Sequence, residues 1–159
     1  MKKRMISIFV LTVIVCLISF SCLKGRQIKY PAGRDTKSLF GDGTYQIASV
    51  SGSSGRRDVL SNEKYGTCVI EQVEKVFETK EKVYIIGTTP IRRHFTLYAV
   101  IELNNNVMTL CIIQDNPIQN DFYFTYMDEM IRNQDAYIIS DLSDFTEEDY
   151  SVFMKMKTE

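Results

Sequence analysis

Few residues in this sequence are of types that do chemistry, and their spacing narrows what that chemistry could be. Cys68 and Cys111 lie about 43 residues apart on β-branched stretches. In an oxidising compartment they could be joined, a cross-link worth roughly 2–4 kcal/mol. Unjoined, each packs as a small hydrophobe. Neither has a histidine nearby in sequence to make a nucleophilic thiolate. Arg92-Arg93-His94 follows Pro90 between two strand-like stretches. Three donors on one turn could hold a phosphate or carboxylate, or could simply be solvated. His94 is the only histidine, too little for zinc, which needs several N or S ligands in a tight set.

Carboxylates gather in two places. Glu71, Glu74 and Glu78 form one group, and Asp141, Asp144, Glu147, Glu148 and Asp149 form the other. A hydrolase would need two of them on one substrate, with Glu71 or Asp141 as its acid or base. Calcium would need the Asp-x-Asp-x-Asp-Gly spacing, which the acidic run lacks. A phosphate-cradling Gly-x-x-x-x-Gly-Lys loop is also absent. The aromatic group Phe122-Tyr123-Phe124-x-Tyr126 is either core or a peptide- or sugar-binding strip. No catalytic set, metal site or cofactor is expected from these residues.

The chain has 159 residues, 45% hydrophobic and 25% charged, with a formal net charge of -1. That apolar fraction excludes a disordered chain, and the balanced charge argues against nucleic acid as a partner. Four cysteines are too few for a disulfide scaffold. The charge is unevenly placed: residues 23–120 carry 13 basic and 10 acidic groups, and residues 121–159 carry 3 and 10. A field of that kind could steer a basic partner or serve solubility alone.

These residues need a frame, and the pattern points to an α+β domain over residues 40–157. Tyr45, Ile47 and Ser49 alternate with Gln46 and Ala48 as in a strand. Residues 51–66, rich in Gly, Ser and charge, read as an exposed loop. Residues 68–77 fit helical spacing, but their β-branched content suits a pleated surface better; strand, charged turn and strand ending at Gly87 is the reading adopted. Phe95–Ile101 and Val107–Ile113 alternate around Asn104-Asn105-Asn106, a tight reversal that tolerates positive φ. Together these segments predict an antiparallel meander of about five strands. A short helix is a candidate at 128–133 and a strand at 136–140. A C-terminal helix is expected at 147–157, with Thr146 as N-cap and three acids in its first turn. Phe145 and Tyr150 occupy hydrophobic-staple positions, and Tyr150, Phe153 and Met154 are expected to face the sheet.

The first residues set the setting. Met1-Lys2-Lys3-Arg4 is followed by an uncharged run of 19 residues, Met5–Leu23. A charged start and an apolar run form the pattern of an export signal. As a helix the run spans about 28 Å, close to the roughly 30 Å hydrocarbon core. It is either a signal or an uncleaved membrane-anchor helix. Its end, Ser19-Phe20-Ser21-Cys22, resembles a bacterial lipoprotein cleavage site, with small Ser21 before the cysteine and Ser19 where that pattern prefers Leu. The resemblance covers residues 1–22 and implies a lipid on Cys22. Residues 23–39, with Lys24, Arg26, Lys29, Arg34 and Lys37, read as a basic tether. Positive charge on both sides of the run leaves its orientation unset by charge. The expectation is a domain on the extracytoplasmic side, tethered to membrane lipid through Cys22 or the apolar segment. It would act as a binding or accessory module for an unknown protein or small ligand. A small envelope hydrolase and a single-pass protein with a cytoplasmic domain are the alternatives.

Overall fold

The computed structural model describes residues 33–52, 55–88, 95–114 and 131–159. Nine strands are described: β1 (Thr36–Phe40), β2 (Tyr45–Gly52), β3 (Gly55–Asn62), β4 (Thr67–Ile70), β5 (Gln72–Glu78), β6 (Lys82–Thr88), β7 (Phe95–Glu102), β8 (Val107–Gln114) and β9 (Ala136–Ile139). A 3-10 turn, Leu142–Asp144, and helix α1, Glu147–Thr158, follow. The strands form two sheets, β1-β2-β3-β4 and β5-β6-β7-β8-β9. Every pairing is antiparallel except β8 with β9, which is parallel.

Side-chain alternation explains the layering. Val83, Ile85, Leu97, Ala99, Ile101 and Leu110 belong to one buried cluster, which also takes Phe40, Tyr45, Ile47 and Leu60 from the β1–β4 sheet. The residues between them, Tyr84, Ile86, Tyr98, Val100 and Cys111, join a second cluster with Phe145, Phe153 and Met156. Successive side chains of a strand point to opposite faces. The β5–β9 sheet is therefore apolar on both faces, covered by the other sheet on one side and by α1 on the other.

The α+β class with antiparallel sheets holds, but a single sheet of about five strands does not. Four further strands make a second sheet, and residues 51–66, read as a loop, contain β3. The misleading signal was charge. Arg56, Arg57 and Asp58 belong to an outer sheet with one wet face, where polar residues are tolerated; Leu60 and Asn62 of the same strand are fully buried. The first strand begins at Thr36, inside the stretch read as tether. Residues 68–77 are extended, as two strands broken at Glu71, where the chain passes from one sheet into the other.

Gly87 makes that passage possible. A Cβ there would collide with the Ile70 side chain and the Gln72 carbonyl oxygen. The glycine lets the β4–β5 corner cross close to β6 and does not end the strand, which continues to Thr88. The β7–β8 hairpin forms as expected, with Asn106 at φ 59°.

Helix α1 starts where expected, and Thr146 accepts the Asp149 amide hydrogen at 3.2 Å. Its buried stripe is Asp149, Phe153 and Met156. Tyr150, expected to staple to Phe145 and face the sheet, is 40% exposed. Phe145 packs instead on Phe153, with ring centroids 5.1 Å apart. Asp149 holds the inward position beside Tyr150, because polar partners await it there. Among the described residues no helix is long and apolar enough to cross a membrane. Residues 1–32 lie outside the described residues, as do residues 128–130 of the 128–133 helix candidate, whose Ile131 and Arg132 are helical.

Candidate functional site

Three turns meet over the edge of the inner core and leave a groove of about 420 Å³. Leu39, Phe40 and Gly41 at the end of β1 form one wall. Glu78, Lys80 and Glu81 of the β5–β6 turn and Leu103 and Asn104 of the β7–β8 turn form the other. Local chemistry fixes each turn. Thr79 Oγ1 accepts the Lys82 amide hydrogen at 2.9 Å, and the Asn105 side chain accepts that of Val107 at 2.9 Å. The Leu103 amide donates to the Glu81 carbonyl at 2.8 Å and joins the two turns. Gly41 has φ 65° and lies directly against the Asn106 side chain, leaving no room for a Cβ. The groove thus combines three apolar residues, Leu39, Phe40 and Leu103, with a polar lining of Glu78, Lys80, Glu81 and Asn104 that carries both signs of charge. Its volume lies within the range of small-ligand clefts. A second groove of about 410 Å³ lies at the other end of β2, lined by Asp35, Ala48, Ser49, Val50, Ser51 and Arg56.

The titratable groups nearest the cores are engaged in holding elements together. Asp149 accepts hydrogen bonds from Lys82 at 2.8 Å, Tyr84 at 2.8 Å and Thr146 at 2.7 Å. Burial pushes its carboxyl up, but those three donors outweigh burial and hold it below the usual carboxylate value. The Tyr84 phenol is driven well above its ordinary value by burial and by that same carboxylate. Asp135, before β9, accepts from Lys64 at 2.5 Å and from the Tyr65 hydroxyl, while its carbonyl accepts from Tyr45 at 3.3 Å. This second cluster ties the β3–β4 turn to the far sheet.

The expected site residues are scattered. Cys68, on β4, is exposed, and Cys111, on β8, is buried; both are free thiols in different sheets. Of the two readings left open, joined or unjoined, the thiols are unjoined here, and only Cys111 packs as a buried hydrophobe. Cys111 faces the helix-side cluster, whereas Cys68 lies on the other sheet, opposite Ser61. Burial and then Glu71 push the Cys68 thiol up to about 11, against Arg57, so it is little ionised at neutral pH although the residue as a whole is exposed. Burial and then Asp141 and Asp144 do the same to Cys111, also to about 11. Such thiols are poor nucleophiles.

Asp141 caps the 3-10 turn and accepts the Ser143 amide hydrogen at 2.8 Å. Glu71 sits at the corner between β4 and β5, with one carboxylate oxygen buried and unpaired among the described residues. Asp141 neighbours the β8 thiol and Glu71 the β4 thiol, on different sheets, so the two are not brought together as a hydrolytic pair. Among the described residues no group of three or more His, Cys, Asp or Glu is placed to hold a metal. Cys22, Arg92, Arg93, His94 and the Phe122–Tyr126 aromatics lie outside the described residues.

Sequence reasoning missed both grooves and the Lys82–Tyr84–Asp149 cluster. The only advance signal for the cluster was Asp149 three residues after the Thr146 cap. Compared with protein-family models, with curated proteins and with solved structures, the chain matches none.

Proposed function

We propose that this protein is a membrane-tethered, extracytoplasmic binding module, attached through a lipid on Cys22 or through the apolar segment 5–23, and that it takes its ligand in the groove between the β1, β5–β6 and β7–β8 turns. The observation that carries the binding reading is that groove. Leu39 and Leu103 in its lining offer a limited apolar contact to a small molecule or peptide side chain. The rim of Glu78, Lys80 and Glu81 offers one cation and two anions to its polar end. The attachment rests on the sequence of residues 1–23.

Two measurements test the two halves of the proposal. The intact mass of protein purified from membranes is expected to correspond to a chain starting at Cys22 with added lipid. An unmodified chain retaining Met1–Ser21 would sink the lipoprotein form and leave the anchor form, with its orientation to be fixed by a topology reporter after Glu159. For the groove, a panel of small amphipathic compounds is expected to yield ligands whose NMR shift changes cluster on Leu39–Gly41 and Leu103–Asn104. Binding should weaken when Lys80→Glu and Glu81→Lys exchange the rim charges. Ligands that ignore the exchange, or none at all, would remove the groove as the site.

A further inference from the structure

The geometry points to a lipid-docking surface on the distal β2–β3 hairpin, where Arg34 and Arg56, backed by half-buried Arg57, would rest on the headgroups of an anionic phospholipid bilayer. This rests on the proposal that residues 5–23 attach the chain to a membrane. The hairpin projects beyond its neighbours. β1 pairs with β2 only as far as Thr36 opposite Ala48, and β4 pairs with β3 only as far as Ile70 opposite Leu60. Beyond those rungs, Val50↔Arg57, Ser51↔Arg56 and Gly52↔Gly55 pair only with each other. Val50, Ser51, Gly52, Gly55 and Arg56 are all exposed. The described residues of the tip therefore offer small residues, one apolar side chain and Arg56, with half-buried Arg57 behind them.

The place where the chain enters the domain supplies the second line of support. Asp35 and Arg56 line the same groove, and the Ser49 amide donates to the Asp35 carbonyl at 2.9 Å. The chain thus comes in from residue 33 alongside this hairpin. Nine residues, 24–32, separate Leu23 from Gly33. Fully extended they reach about 30 Å, so this end of the domain is the one held near the bilayer.

Charge favours contact. Asp58 is already neutralised by Lys37 at 2.7 Å, which leaves Arg34, Arg56 and Arg57 against Asp35 near the tip and Glu71 at the base of the hairpin. Lys24, Arg26 and Lys29 add three cations within the tether. The acidic helix α1 begins on the outer face of the other sheet, away from this hairpin. Each cation near an anionic surface shifts the docked population about fivefold. Docked this way, the groove at the opposite end of β2 would face outward.

The sequence contains no tryptophan, so one introduced Trp reports its own position. Full-length Ser51→Trp and Asn104→Trp proteins would be reconstituted into vesicles carrying dansylated headgroups, with or without phosphatidylserine. Co-flotation reports attachment, and energy transfer from Trp to dansyl reports which end lies on the surface. Strong transfer from position 51 and weak transfer from position 104 are expected with phosphatidylserine. Transfer from 51 should fall without it, or when Arg34→Glu and Arg56→Glu lower the docked population by about 25-fold or more. Both arginines are exposed, so the double variant is expected to fold, and the lipid comparison needs no charge variant at all. Equal transfer from the two positions, or transfer from 51 indifferent to phosphatidylserine, overturns the docking while leaving attachment standing. Failure to co-float with any vesicle overturns attachment and docking together.

Discussion

On the inner face of the β5–β9 sheet, Val83, Ile85, Leu97, Ile101 and Leu110 meet Tyr45, Ile47 and Leu60 of the opposing sheet, with the polar contacts gathered at one end, where Tyr45 and Lys64 reach Asp135. On the outer face, Tyr84 and Tyr98 stand edge-on to Phe153, at 5.6 and 5.4 Å between centroids, and the helix carrying Phe153 is also held by the Asp149–Lys82 pair. Apolar burial is non-directional and proportional to area, so the inner face can collapse around any consistent register. One helix on a flat sheet has fewer constraints. The outer face adds a directional cluster at the helix N-terminus, and Lys75 Nζ donating to the Met156 carbonyl at 2.5 Å near its C-terminus. The inner face supplies most of the apolar burial, with the Asp135 cluster as its directional contact at one end, and the outer face relies on such contacts at both ends of the helix.

The sharpest way to break this comparison is to remove one large side chain from each face. Phe153→Ala should lose about 3–5 kcal/mol and Leu97→Ala about 2–5 kcal/mol. Size is not the discriminating feature. In hydrogen exchange, Phe153→Ala should release α1 while the β6, β7 and β8 amides stay protected. Leu97→Ala should lower protection across both sheets together, because its cluster spans them. If Phe153→Ala deprotects both sheets as well, the two faces form one cooperative unit and the distinction falls.

A smaller effect tests placement directly. Asp149→Ala leaves the Lys82 ammonium and the Tyr84 hydroxyl without their shared acceptor. Unpairing a fully buried charge costs about 3–5 kcal/mol; the Lys82 side chain keeps 24% exposure, so a loss of about 2 kcal/mol is expected. The pH dependence has a defined sign. Native Asp149 lies below the ordinary carboxylate value, which is about 3.9 in an unfolded chain. Its contribution is present above that value and lost as pH falls through it toward the native pKa. Denaturant titrations at pH 7 and pH 3 should show the deficit of Asp149→Ala shrinking at the lower pH. A deficit unchanged at pH 3 would mean that packing, and not charge, accounts for Asp149.

Much of the sheet was legible because period-2 alternation is a strong signal wherever one register puts apolar residues on each face. Phe95–Glu102 and Val107–Gln114 show it, and Asn104-Asn105-Asn106 marks the reversal. The C-terminal helix was legible for a similar reason: Thr146 and three acids announce its start. What failed were positions whose burial depends on distant partners. Tyr150 looks like a core residue by local rules, and Asp149 looks like a dipole charge. The sheet decides the reverse, because Lys82 and Tyr84 lie 67 and 65 residues away. β3 failed because Arg56-Arg57-Asp58 resembles a loop until the outer sheet gives those charges a wet face. The turn-end groove was illegible because it is assembled from three turns, and no single one carries its signal.

Two mild substitutions sharpen the contrast between buried and exposed polar contacts. Thr146→Ala removes the N-cap and one of three donors to Asp149, a loss of about 1 kcal/mol. Lys37→Ala removes the Lys37–Asp58 pair, whose donor side chain is 51% exposed; such pairs contribute between zero and about 1 kcal/mol. Lys37 and Ser49 hold the Asp58 carboxyl below its ordinary value, and Ser49 remains, donating to it at 2.5 Å. The expected result is a midpoint shift near the detection limit at low salt that vanishes in high salt, as screening predicts. The Thr146→Ala deficit should persist in high salt, since a cap hydrogen bond is not a long-range charge effect. If Lys37→Ala proves as costly as Thr146→Ala and equally insensitive to salt, the β1–β3 pair is structural in the manner of the Asp149 cluster. The β1–β4 sheet would then be held by directional contacts beyond the Asp135 cluster, and the contrast with the helix side would narrow.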